Sequence, residues 1–150
     1  MKKLALGMIL LIGGALGVRA WRSDAPDPQL LYHRFWIDHE PRAPKEPFQV
    51  LFVNAEFPMG HFATRTMWTG ALEFFHYHIV PREPGVIDFL FGHTNERQRV
   101  KYTARRCHER GFDYCLEIAG TTRGVQRYYS KKEWDSETNE DTFVARLEKQ

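Results

Sequence analysis

His76 and His78 stand two residues apart in an aromatic and β-branched run, Ala71 to Val80. On a strand that spacing puts both imidazoles on one face, a geometry that metal sites use, with a third ligand to come from His61 or His93. Glu73 and His93, near one end of the same segment, form a second candidate: a carboxylate and an imidazole that can act as acid and base if they meet, or form a plain rim contact. Cys107 and Cys115 lack the CxxC spacing of a metal or redox pair, and placed across a hairpin they read as a disulfide. Arg97, Arg99, Lys101 and Arg105 alternate along one run and would line one strand face. Such a stripe suits an anionic surface such as phospholipid head groups, lipid A phosphates or a polysaccharide. Asp88 and Glu117 are expected opposite two of its members, so a mixed-charge solvated face is the competing reading.

These residues need a sheet to position them. Ala71 to Val80 and Val86 to Phe91 are separated by Pro81-Arg82-Glu83-Pro84-Gly85, a composition that stops strands and permits reversal. A symmetric five-residue loop sets Ile79 against Ile87, Tyr77 against Phe89 and Phe75 against Phe91, with His78 opposite Asp88 on the other face. A turn at His93-Thr94-Asn95-Glu96 would then place Phe89 against Val100, Ile87 against Tyr102 and Asp88 against Lys101. The third reversal centres on Gly111 and puts Cys107 opposite Cys115 and Arg105 opposite Glu117, leaving Phe112, Tyr114, Leu116 and Ile118 inward. Gly120 to Gly124 is a further turn and Val125 to Tyr129 a last strand. The inward face also carries Glu73, His93 and Gln98 near one end and Arg106 at the other, each needing a partner, the rim or a ligand.

Gly70 to Glu83, with its paired histidines, resembles the first half of the first cupin motif. The next glycine of that motif is absent, Pro81 and Pro84 interrupt the strand, and no second motif follows, so a metal-dependent enzyme using His76 and His78 is the third of three functional readings.

Outside the meander, the period of Leu30 to His39 fits either a short helix or a strand, and Leu31, Phe35 and Trp36 at helical spacing favour the helix. Phe48 to Val53 is a strand apolar on both faces, His61 to Trp68 a further strand, and Gly70 a bend. Ser130-Lys131-Lys132-Glu133 has the form of a capping box before a helical turn carrying Trp134, and Thr142 to Lys149 reads as a terminal helix.

Lys2 and Lys3 precede a 15-residue apolar run, Leu4 to Val18, and Val18-Arg19-Ala20 fits signal-peptidase cleavage before Trp21. Residues 1–20 are thus an export signal or, uncleaved, an N-terminal anchor and the one membrane contact; 21–29 are a mobile linker; 30–150 are one β-rich domain. The expected location is the periplasm or cell envelope of a bacterium. A net charge of +2 on 150 residues argues against nucleic acid, and 14 % aromatic content favours a β interior. No nucleophile motif, phosphate loop or zinc pattern is present, and no cofactor is implied.

Six or seven antiparallel strands joined by short turns, sharing one apolar face, predict a mainly β fold: a small barrel or curved sheet with short flanking helices, resembling the lipocalins in architecture. The Gly-x-Trp that marks many lipocalins is missing, so the resemblance is to the shape alone. The first functional reading places a lipid or other small apolar or amphiphilic ligand in an interior lined by Phe75, Tyr77, Phe89, Phe91, Tyr102 and Tyr114, with Arg106 for an anionic head group. The second is an interaction module whose outer sheet face docks on an envelope protein or surface.

Overall fold

A computed structural model describes residues 25–43, 45–66, 69–120 and 123–136. Residues 1–20, expected to be an export signal, the first four residues of the expected 21–29 linker and the terminal helix expected at 142–149 lie outside the described residues. Eight antiparallel strands run in sequence order around a closed barrel. They are β1 (Phe35–Ile37), β2 (Phe48–Val53), β3 (Met59–Thr66), β4 (Thr69–Ile79), β5 (Val86–Phe91), β6 (Arg97–Glu109), β7 (Phe112–Ala119) and β8 (Arg127–Ser130). The closing ladder is short, with Ile37 of β1 opposite Tyr129 of β8, and Arg34 and Asp135 bridge just beyond it.

The first hairpin has the expected register: Phe75 faces Phe91, Tyr77 faces Phe89, His78 faces Asp88 and Ile79 faces Ile87. Its five-residue loop is held by Tyr102 N–H donating to Gly85 O at 2.7 Å. Gly85 is required there: its φ is +75° and a Cβ would come within 2.8 Å of the Tyr102 carbonyl oxygen.

The second hairpin departs from expectation by two residues, with Ile87 opposite Val100, Phe89 opposite Gln98 and Asp88 opposite Arg99. The turn is Gly92 to Asn95, one residue early. Asn95 adopts the left-handed region that asparagine tolerates, and its N–H reaches Phe91 O. A slip of two leaves every side chain on its expected face, because the strand period is two.

The third hairpin is offset likewise, with Arg105 opposite Cys115 and Thr103 opposite Glu117, and a bulge between Arg106 and Glu109 inserts an extra residue on β6. Cys107 therefore meets Cys115 diagonally, and the two form the disulfide at a Cα–Cα distance of 5.7 Å.

The stretch Leu30 to His39 is not a helix. A 3-10 turn, Pro28–Leu31, takes in the end of the expected linker, and β1 follows. Trp36 packs in the barrel and Ile37 outside it, both without exposed area, and alternation along a strand satisfies both burials at once. Trp134 does sit on a helical turn, Lys132–Trp134, but not through a capping box: Ser130 ends β8, and Asp113 accepts the Lys132 N–H at 2.9 Å.

The strands flanking the seam are buried on both faces. Trp36, Leu51, Leu116 and Tyr128 join the interior, while Ile37, Val50, Cys115 and Tyr129 form a second cluster outside, closed by Phe112 and Trp134. At the end where the chain enters, the 3-10 turn plugs the barrel: Asp27 N–H donates to Ala104 O at 2.7 Å, and Trp36 Nε1 donates to Leu31 O at 3.1 Å.

Candidate functional site

The inward aromatics meet as expected, and most of them fill the barrel. Phe75, Phe89 and Phe91 keep at most 2 % of their surface, and their ring centroids lie 4.6 to 6.1 Å apart. A space able to hold a ligand would leave accessible area on the rings bounding it, so these three form packed core. Tyr77, Tyr102 and Tyr114 keep 7 to 9 %. Tyr77 and Tyr102 meet Tyr32 beneath the entry plug, where Tyr77 donates to Asn54 O at 2.7 Å. Burial, aided by Tyr32, pushes the Tyr77 phenol up to about 12, and burial raises Tyr102 as well.

Arg106, expected to point inward, is exposed beside the β6 bulge. Among the described residues two cations are buried instead, Arg34 and Lys131, and Arg34 is the one set against an inward aromatic. Its guanidinium lies 4.1 Å over the Tyr114 ring, and Nη1 donates to Lys131 O at 2.8 Å. Burial lowers its pKa, and Tyr114 and Asp135 offset part of that effect. Alternation with Trp36 on a strand is the signal that points to Arg34, and a helical reading of this stretch hides it.

The expected Glu73 to His93 pair is not formed. His93 is exposed in the β5–β6 turn, and Glu73 takes a bidentate pair from Arg123 Nε and Nη2, both at 2.7 Å. Arg123 also donates to Glu96 at 3.1 Å and lies 3.7 Å over the Phe91 ring, so the β7–β8 loop is tied across the far end of the barrel. Gln98 is buried there as an inward residue, and its Nε2 donates to Gly120 O at 2.8 Å. Arg123 sits in a turn whose composition gives no sign of this role.

The outer wall of β4 to β6 gathers the remaining candidates. Cross-strand rows run His76, Leu90, Arg97 and then His78, Asp88, Arg99, bordering a groove of about 540 Å³. Leu72 and Phe74, on the same face of β4, are 50 % and 54 % exposed. The basic stripe is half neutralised. Arg99 binds both oxygens of Asp88, at 2.7 and 2.9 Å, and these bonds hold the Asp88 carboxyl below the usual range. Arg105 pairs with Glu109, and its expected partner Glu117 lies at 3.9 Å. No ion pair among the described residues engages Arg97 or Lys101.

The metal reading gains no support from this geometry. Among the described residues, the one trio of donors close enough to share an ion is Cys107, Glu109 and Cys115, and its sulfurs are bonded to each other. His76 and His78 share the outer face as expected, and Asp88 stands opposite His78, but among the described residues no three donors there lie close enough together to share an ion; the His61 side chain lies outside them. Among the described residues no helix is long and apolar enough to cross a membrane. No protein-family model, curated protein or solved structure matches this chain.

Proposed function

We propose that this protein is an exported module of the bacterial envelope that works by docking, with the outer wall of β4 to β6 as its contact face. One observation carries the proposal: the barrel's phenylalanines are consumed by its own core, while Leu72 and Phe74 stand half exposed on a wall that also bears cations. A solvated strand face ordinarily alternates polar residues outward, so two adjacent outward apolar positions beside a groove are unexpected unless something covers them. Export is supported by the disulfide together with the basic and apolar start of the sequence.

The test is thiol protection in living cells. Both native cysteines are bonded, so His76→Cys supplies the free thiol, and Lys132→Cys is the control beyond β8, across the barrel. A maleimide that enters the periplasm should label position 76 slowly in cells and rapidly in purified protein, and position 132 equally in both. Equal labelling at 76 would end the docking reading.

A second reading, a small amphiphile held inside, has its foothold at the entry end, where Tyr32, Tyr77 and Tyr102 retain exposure and hydroxyl groups. Native mass spectrometry of protein from its own envelope would show a lipid-sized increment if that reading holds, and the bare chain if it does not.

A further inference from the structure

Resting on the docking reading, we infer that the partner of the β4 to β6 wall is the surface of a bilayer containing anionic lipid. Two features of the wall point to it. Leu72 and Phe74 lie on one edge, β4, with Leu90 beside them across the His76 row. Arg97 and Lys101 lie on the other, β6, outside the ion pairs that occupy Arg99 and Arg105. The two strands flank β5 and are about 10 Å apart at ordinary strand spacing, with Arg97 in the row of His76, next to the apolar pair, and Lys101 further along the wall in the row of Val86. A surface that carries exposed apolar side chains together with cations can lie in the interfacial plane, its apolar groups entering the boundary of head groups and acyl chains while its cations meet phosphate.

The charges on this wall sum in the right direction. Its acid, Asp88, is already committed to Arg99, and Glu96, at the turn, is committed to Arg123, leaving Arg97 and Lys101 to face outward. Glu83, in the entry-end loop, lies near the same Arg99. A protein partner buries a contact core depleted in charge, whereas two cations outside any ion pair among the described residues, on a wall with exposed Phe and Leu, suit phosphate head groups above acyl chains. The sequence adds a tether. If the apolar run Leu4 to Val18 is retained, nine residues (19–27) separate it from the Pro28 turn, a reach of roughly 30 Å that holds the barrel at the membrane.

The experiment uses the full chain reconstituted in vesicles of phosphatidylcholine alone or with about a third phosphatidylglycerol, enough anionic lipid to give the surface a negative potential. A nitroxide at His76→Cys reports the wall and one at Lys132→Cys reports the opposite side. With the anionic lipid, the label at 76 should become accessible to oxygen and shielded from a water-soluble nickel complex, while that at 132 stays in solution. Arg97→Gln with Lys101→Gln should abolish the shift at 76, since each cation near such a surface is worth about fivefold in binding. A label at 76 that stays in solution in both vesicles, or that is immersed equally in both, overturns the inference. Protection of position 76 in cells combined with a solution-like label in vesicles would leave docking standing and make the partner a protein. Absence of both would end the two proposals together.

Discussion

Phe74 and Phe75 are neighbours in the chain on opposite faces of β4, and truncating each in turn tests whether the barrel is filled. The Phe75 ring keeps 1 % of its surface, contacts Phe89 at 4.6 Å and Phe91 at 6.0 Å, and lies across Gly60 of β3. Phe75→Ala should therefore cost about 4 kcal/mol, the sum of lost burial and the cavity left behind. In a domain of this size that lowers the melting temperature by about 15 °C. Phe74→Ala removes a ring that is 54 % exposed and should change stability by about 0.5 kcal/mol or less. Urea unfolding of oxidised protein, followed by tryptophan fluorescence, measures both. A Phe75→Ala loss below about 1 kcal/mol would mean that the ring borders open space, and the interior would have to be reconsidered as a binding cavity. A large loss for Phe74→Ala would mean that the two faces of β4 have been exchanged.

Cys107→Ala should lower the stability of oxidised protein by about 2 to 3 kcal/mol, as expected for so short a closed loop, and leave reduced protein unchanged; equal loss in both states would speak against the bond. Gly60→Ala should cost about 2 to 3 kcal/mol, because the added methyl lies 2.5 Å from Cζ of Phe75 and runs into the Phe52 carbonyl; Phe75→Leu added to it should restore part of the loss. Arg99→Gln should scarcely move the melting temperature, yet it should raise the Asp88 pKa read by carboxyl NMR titration. Asp88 is depressed in the folded state, so its contribution to stability is present above the unfolded value near about 3.9 and disappears as pH falls through the lower folded value. An unshifted Asp88 titration in that variant would separate the carboxylate from Arg99.

The face of nearly every meander residue is legible in the sequence, and its exact partner only where the turn is unambiguous. Pro81 to Gly85 leaves one geometry for the first hairpin, and its register is as read. The second turn offers two overlapping four-residue windows, and Asn95 selects the earlier by taking a left-handed backbone. Near Gly111 a bulge intervenes, so the cysteines meet on a diagonal rather than face to face. β1 escapes a pattern reading because three residues are too few to display a period. Ile79 keeps its partner Ile87 but is half exposed at the end of its strand, where alternation no longer implies burial.

The alternation of in and out belongs to the local chain, because strand geometry repeats every two residues whatever the rest of the molecule does. Closure of the barrel sets which outward residues are buried a second time, as Ile37 and Tyr129 are at the seam, and which charges are neutralised. Arg34 finds Lys131 97 positions away and Arg123 finds Glu73 50 positions away. Such pairings follow from the curvature and closure of the sheet, which bring distant loops together at the ends of the barrel, and no pattern within a single strand encodes them.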